Sequence, residues 1–248
     1  MRFSDKADAA ERPRSATQPS RRALKGLTIR PSAWSGRAAM AERMSMKLYD
    51  GGRAPNPRRV RIFFAEKGVP LPEIVAIDIA KKEHRSEAFT KLNPAQRLPV
   101  MVLDDGTALA ETIAICRYVE GLHPQPPLFG KDPREQALIE MWNRRIELGL
   151  FAAVAAVFRH SHPSMAELEE QVPEWAEANR EQIDDHLWIL ELQLAGNRHL
   201  CGDELTVADI TAGIAIDFMK PSRIPLPDDF VHIRRWHGEL SARPSWKV

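Results

Sequence analysis

A few short stretches of this sequence hold side chains that chemistry can use. Arg53-Ala54-Pro55-Asn56-Pro57 stands where a short strand gives way to a helix. A helix start favours an anion through its dipole and its unpaired N–H groups, and the Asn56 amide would add a donor there. Taken alone, Asn56 can equally be a plain helix cap. Leu98-Pro99 opens a later strand. An X-Pro bond is where cis peptides occur, and an outward-facing N–H/C=O pair beside one offers strand-like hydrogen bonds to a peptide. The plain alternative is a trans proline. Glu111-Thr112 lies at the join of a hairpin and a helix, a place that suits a bound carboxylate or serves as an ordinary cap. Arg97 and Arg85, with Gln96 and His84 beside them, carry guanidinium groups that pair with carboxylates in two-pronged fashion, although surface cations are commonly only solvated.

Other chemistries find less support. Two cysteines, Cys116 and Cys201, make neither a disulfide framework nor a metal knuckle, and they fit a reducing, cytoplasmic setting. Cys116 falls in an apolar helical run and Cys201 just before a helix start, so each reads as a small buried hydrophobe rather than a nucleophile. His160 and His162 have no further ligand cluster nearby and read as solvated side chains, which leaves no metal site. Tyr49 reads as a core residue.

The elements that must hold these residues follow from periodicity. From Met46 the pattern is regular: a strand at 47–50, a helix over 58–68, a strand over 73–78, and a short helix over 86–92 closed by Asn93-Pro94. Strands at 100–103 and 107–110 flank Asp104-Asp105-Gly106, a hairpin signal, and a helix over 111–122 follows. The order βαβαββα gives a mixed sheet with helices on its faces, an α/β thioredoxin-like domain over 46–122. Residues 123–132, rich in proline, form a linker. An all-α helical bundle over 133–248 comes next. Asp132-Pro133 starts a long helix running to about Arg159, a second spans 174–195 with Trp175, Ile183, Leu187, Leu190 and Leu194 on one face, and a last one follows Pro227-Asp228-Asp229. Thr206-Val207-Ala208-Asp209 is a capping box.

The chain has 248 residues and a formal net charge of +1, so no overall field gathers nucleic acid or an anionic membrane. No run of about 18 apolar residues is present to span a bilayer. Residues 1–45 differ from the rest, with ten Lys/Arg against four Asp/Glu and little apolar periodicity. They read as a disordered or non-native extension, with Met44 or Met46 as the natural start.

Lys47-Leu48-Tyr49-Asp50, Arg58-Arg59-Val60-Arg61-Ile62, Asn93-Pro94, Leu98-Pro99-Val100, Asp105-Gly106, Glu111-Thr112, Leu200-Cys201-Gly202-Asp203 and Thr206-Val207-Ala208-Asp209-Ile210 occur in that order. The series closely resembles the glutathione S-transferase family over residues 46–248. The resemblance implies a homodimeric, cytoplasmic detoxification enzyme whose cosubstrate is glutathione and whose partner substrate is a small hydrophobic electrophile, or a disulfide or peroxide. It implies a cis Leu98–Pro99 bond, with the Leu98 backbone against the cysteinyl part of glutathione. Glu111 and Thr112 would hold the γ-glutamyl amino and carboxylate groups, and Arg97 or Arg85 the glycine carboxylate.

One position departs from the pattern. Many members carry a catalytic Ser or Cys immediately before the proline that matches Pro55, and here that residue is Ala54. Some bacterial members use an Asn at the position of Asn56 to donate to the glutathione sulfur, and Asn56 takes that role by resemblance. Without Cys at 54, no mixed disulfide forms on the chain itself. Trp142, Arg145, Glu147, Phe151 and Phe158 are candidates for the electrophile pocket. The alternatives are a glutathione-dependent disulfide reductase and a non-catalytic glutathione-binding or regulatory protein.

Overall fold

Strand β1 (Lys47–Asp50) occupies the middle of a four-stranded sheet because its alternate residues, Leu48 and Asp50, both point into buried space. It pairs in parallel with β2 (Glu73–Ala76) and antiparallel with β3 (Val100–Val102), which pairs antiparallel with β4 (Ala108–Ala110). The order is β2-β1-β3-β4, the mixed sheet expected. The computed structural model describes residues 46–248; the extension expected over 1–45 lies outside the described residues.

Helix α1 (Pro55–Glu66) starts three residues earlier than periodicity implies, because Pro55 and Pro57 both sit in its first turn, where a missing N–H costs no intrahelical bond. Val60, Ile62, Phe63 and Phe64 are its buried apolar residues and join the hydrophobic core. Helix α2 (Glu87–Leu92) is capped by Ser86, whose hydroxyl accepts from Phe89 N–H at 3.2 Å. Helix α3 (Thr112–Leu122) buries Ile115, Cys116 and Val119. Strand β2 ends two residues early and sits at the sheet edge, so Ile74 is exposed rather than inward. Tyr49 is half-buried and meets Phe89 edge-on at 6.0 Å, at the margin of the core.

The segment over 123–132 is anchored rather than free. Leu128 and Phe129 are buried, and Lys67 ties Glu120 (2.7 Å) and the Pro126 carbonyl (2.5 Å) together beneath them.

The long helix expected from Pro133 is present with one change of winding. Helix α4 (Pro133–Arg145), with Asp132 accepting from Arg134 and Glu135 N–H groups, runs into a wider π-type turn over Ile146–Phe151 and on through α5 (Ala152–Ser161). Helix α6 (Pro173–Ala195) buries Ile183, Leu187, Leu190 and Leu194. Trp175 is exposed, against expectation: eight residues before Ile183 it is turned about 80° off that face, and Ala176 takes the inward place. Helices α7 (Val207–Met219) and α8 (Val231–Ala242) complete the bundle, followed by a 3₁₀ turn over Pro244–Lys247.

One hydrophobic cluster runs from Leu48, Phe63 and Ile115 to Leu187, Ile214 and Trp236, so sheet and bundle share a core. Each fully buried Leu, Ile or Phe contributes roughly 1.5–3 kcal/mol. A capping box closes between Thr206 and Asp209, as the sequence indicates. The Asp209 carboxylate, fully buried, accepts from Thr206 N–H (2.9 Å) and hydroxyl (2.8 Å), Leu200 N–H (2.9 Å) and Trp236 Nε1 (3.0 Å). The chain's end is pinned to α1: Arg243 forks onto Glu66 at 2.6 Å through both nitrogens, and Arg58 reaches Asp217 (2.5 Å) and the Trp246 carbonyl (3.0 Å).

Candidate functional site

A cleft of about 740 Å³ opens between the sheet and the helical bundle, and Asn56, Arg85, Arg97, Leu98, Pro99, Glu111 and Thr112 all line it. They come from separate loops and helix starts, so the fold alone brings them to one place.

The β1–α1 turn is braced first. Asp50 accepts from Gly52 N–H at 2.6 Å and pairs with Arg61, which also donates to the Gly52 carbonyl at 2.9 Å. Ala54 is the cap of α1 and offers no side-chain bond, so Asn56 is no cap. Pro55 and Pro57 have no N–H, and Arg58 N–H is returned to the Ala54 carbonyl at 3.3 Å. The several free N–H groups expected at this helix start thus reduce to that of Asn56. Its side chain adds a second donor: Oδ1 accepts from Arg59 Nη1 at 3.1 Å, which leaves Nδ2 free of protein partners among the described residues, on a residue that lines the cleft.

Leu98–Pro99 is cis. The β1–β3 ladder begins at the Tyr49–Val100 pair, so the Leu98 peptide groups lie beyond it, at the cleft wall. Asn93 shapes the preceding turn by accepting from Ala95 N–H (3.1 Å) and donating to the Arg97 carbonyl (2.9 Å). Glu111 caps α3 with φ of 71°, a left-handed value rare for a residue with a side chain. Such backbone costs about 1–3 kcal/mol and is held where the surroundings demand it. Its carboxylate makes no cap bond, and the residue lines the cleft. Thr112 is buried at the first helical position beside it.

The two arginines expected to meet a carboxylate already have protein partners. Arg97 pairs with Glu169 at 3.3 Å, and Arg159 approaches the same oxygen at 4.0 Å. Arg85 donates to the Leu168 carbonyl at 2.5 Å. Met165, Leu168 and Glu169 belong to a strap between α5 and α6 that crosses to this side of the cleft; periodicity gave no sign of it, because it has none. His84 is buried with Nδ1 unpartnered, and burial, then the neighbouring Arg85 and Arg97, push its pKa down, so the imidazole is neutral at pH 7. Gln96 lines the cleft but turns its amide to Thr90 at 3.0 Å.

Of the residues expected at an apolar pocket, Phe151 and Phe158 line the cleft, joined by Phe218. Trp142, Arg145 and Glu147 do not. Trp142 is buried with Arg145 over its ring at 5.1 Å, and Glu147 points to Arg59 at 2.9 Å. His160 and His162 are half-buried rather than solvated: His160 accepts from Val172 N–H at 3.1 Å, and His162 stacks on Phe158 at 4.6 Å. Burial raises the thiols of Cys116 and Cys201 to about 12, and neither lines the cleft. No helix among the described residues is long and apolar enough to cross a membrane.

A thioredoxin-like sheet and a helical bundle thus meet at the cleft that gathers the assigned residues, the arrangement that the resemblance to the glutathione S-transferase family implied. Residues 44–121 match the family described as glutathione S-transferase, N-terminal domain, and residues 147–244 match glutathione S-transferase, C-terminal domain. The chain is 34% identical over 211 residues to glutathione S-transferase 2 of Saccharomyces cerevisiae, covering 83% of this chain and 91% of that one. It is 32% identical to a maleylacetoacetate isomerase of Pseudomonas aeruginosa, over 82% of this chain and 94% of the other. A crystal structure of a glutathione S-transferase domain-containing protein of Marinobacter aquaeolei superposes with a TM-score of 0.78 at 39% identity, covering 80% of this chain and 98% of that one. The chain belongs to the glutathione S-transferase family. Glutathione is that family's cosubstrate, and transfer of the glutathionyl group through its sulfur is the activity the relationship supports.

Proposed function

We propose that this cleft binds glutathione in extended form and keeps its sulfur ionised beside the start of α1 for attack on a small apolar electrophile. Glu111 takes the γ-glutamyl ammonium, and Thr112 with the first N–H groups of α3 takes its carboxylate. The Leu98 backbone meets the cysteinyl peptide. Arg97 and Arg85, beside the neutral His84, receive the glycine carboxylate, with Glu169 and the Leu168 carbonyl giving up or sharing their hold. The Asn56 backbone N–H and Nδ2 face the sulfur. Lowering a thiol from about 8.5 by two units requires about 2.7 kcal/mol, which two donors at a helix start can largely supply.

The observation that carries this reading is convergence: seven residues assigned from the sequence line one cleft. Charge supports it as well. Four arginines against two glutamates line the space, an excess that suits a ligand with two carboxylates, one ammonium and a thiolate. The aromatic wall of Phe151, Phe158 and Phe218 is where the electrophile lies, held near the sulfur so that two reactants become one complex. The protein works as a homodimer in the cytoplasm. The test is a calorimetric titration with glutathione, paired with an ultraviolet difference spectrum of the thiolate and a conjugation assay on an aryl halide. Binding at or below the millimolar range with a depressed thiol pKa is expected; no affinity at millimolar glutathione overturns the reading.

A further inference from the structure

Beneath the cleft floor lies a buried arginine that this mechanism has not used. Arg59 is only 2% exposed, and a guanidinium keeps its charge in a protein. Its Nη1 donates to Asn56 Oδ1 (3.1 Å) and Glu147 Oε1 (2.9 Å), and its Nη2 donates to Thr211 Oγ1 (2.8 Å). The Thr211 hydroxyl in turn donates to Asn143 Oδ1 at 2.7 Å, and the guanidinium lies 5.3 Å from the centre of the Phe151 ring. One side chain of α1 is thus gripped by the π-type turn and by α7, both in the helical bundle.

The chemistry of the groups fixes a direction. A guanidinium has donors and no acceptor, so the amide atom facing it must be oxygen. Asn56 therefore cannot flip without placing its NH₂ against a cation. Asn56 lines the cleft, so with Oδ1 engaged by Arg59 its Nδ2 is the amide atom left for a ligand there. Drawing electron density toward Oδ1 also makes the Nδ2 hydrogens better donors. A buried pair such as Arg59–Glu147 is, for stability alone, about as good as a well-packed apolar pair. An apolar pair would not orient an amide.

We propose that Arg59 is the positioning residue for thiolate stabilisation: it locks the Asn56 amide with nitrogen toward the glutathione sulfur, and Glu147 and Thr211 hold Arg59 in place from the second half of the chain. This rests on the reading of Asn56 given above. The π-type turn then has a purpose, since it carries both Glu147, which grips Arg59, and Phe151, which lines the cleft. The helical bundle thereby contributes to sulfur activation without touching the sulfur.

The test measures two things on each variant: the thiol pKa of bound glutathione, from the thiolate absorbance against pH, and the affinity for S-methylglutathione, which has no thiol. Arg59→Met and Asn56→Ala are each expected to raise the bound thiol pKa by about one unit, a tenfold loss of thiolate below that pKa. The double variant is expected to go no further than either single one, and S-methylglutathione affinity is expected to stay within about twofold throughout. Arg59→Lys, which keeps the charge but lacks the planar fork, should recover part of the shift. Should Arg59→Met not fold, Asn56→Asp reads the same point. Its carboxylate keeps the partner on Arg59 but turns an oxygen to the sulfur, and the thiol pKa should rise by one unit or more. Additive shifts in the double variant, or an unchanged thiol pKa in Arg59→Met or in Asn56→Asp, overturn the proposal. A wild-type protein that binds no S-methylglutathione overturns the parent reading instead, and this one with it.

Discussion

The starts of α1 and α7 are built from the same problem and solve it in opposite ways. Every helix opens with N–H groups that have no intrahelical partner. At α7 the protein supplies its own partners: Thr206 N–H meets the wholly buried Asp209 carboxylate (2.9 Å), Val207 N–H the Leu128 carbonyl (3.0 Å) and Asp209 N–H the Thr206 carbonyl (3.1 Å), while Leu200 N–H, the Thr206 hydroxyl and Trp236 Nε1 complete the donors on that carboxylate. At α1 the cap is Ala54, two prolines remove two donors, and what remains is an asparagine whose oxygen is occupied and whose nitrogen is not. A helix start that is satisfied from within holds a fold together. One that is pared down and left open is shaped for a visitor.

If that contrast is right, mutations at the two starts separate stability from activity. Asp209→Ala strands four buried donors and is expected to cost roughly 3–5 kcal/mol, read as a lower denaturant midpoint or as failure to accumulate soluble protein. A loss under 1 kcal/mol would erase the distinction. Asn56→Ala is expected to lower kcat/KM for conjugation about 10–100-fold while the unfolding midpoint barely moves. Equal activity in both proteins removes Asn56 from the mechanism.

The smallest effect belongs to the far ends of the same helices, where Asp217 of α7 meets Arg58 and His237, and Glu66 of α1 meets Arg243 and Ser245. Burial pushes both carboxyls up, but the hydrogen bonds from His237 and Arg58 to Asp217, and from Arg243 and Ser245 to Glu66, outweigh it and hold them below the ordinary carboxylate range. A carboxyl depressed in the folded state stabilises above its unfolded value, about 4, and loses that contribution as pH falls through its folded value. Asp217→Asn is therefore expected to cost of order 1–2 kcal/mol at pH 7, and the gap to wild type should begin to close only as pH falls below about 4 in acid denaturation. A gap independent of pH would show that the carboxylate charge contributes nothing.

The same two regions show what a sequence discloses. Thr206-Val207-Ala208-Asp209 announces its capping box because the partners are three residues apart. The bonds from Leu200 and Trp236 stay hidden, since they join residues nine and 27 positions away from Asp209. Leu98-Pro99 and Glu111-Thr112 were legible as parts of a series, and the fold puts them in one cleft. Arg59 was not legible: in Arg58-Arg59-Val60-Arg61 it looks like one more solvated cation, and only the packing of α1 against α7 buries it. The π-type turn was equally silent, because its apolar residues fit an ordinary helical period. The strap with Glu169 lacks any period and came from the structure alone.

The absence of a thiol at residue 54 matters for the enzyme's own survival. A protein that brings electrophiles to a nucleophile risks becoming their target, and a cysteine in the cleft would be the first casualty. Here the reactive sulfur arrives with the cosubstrate and leaves with the product, while Cys116 and Cys201, raised to about 12 and set apart from the cleft, stay protonated. The catalyst keeps no thiol of its own at the place where alkylation happens.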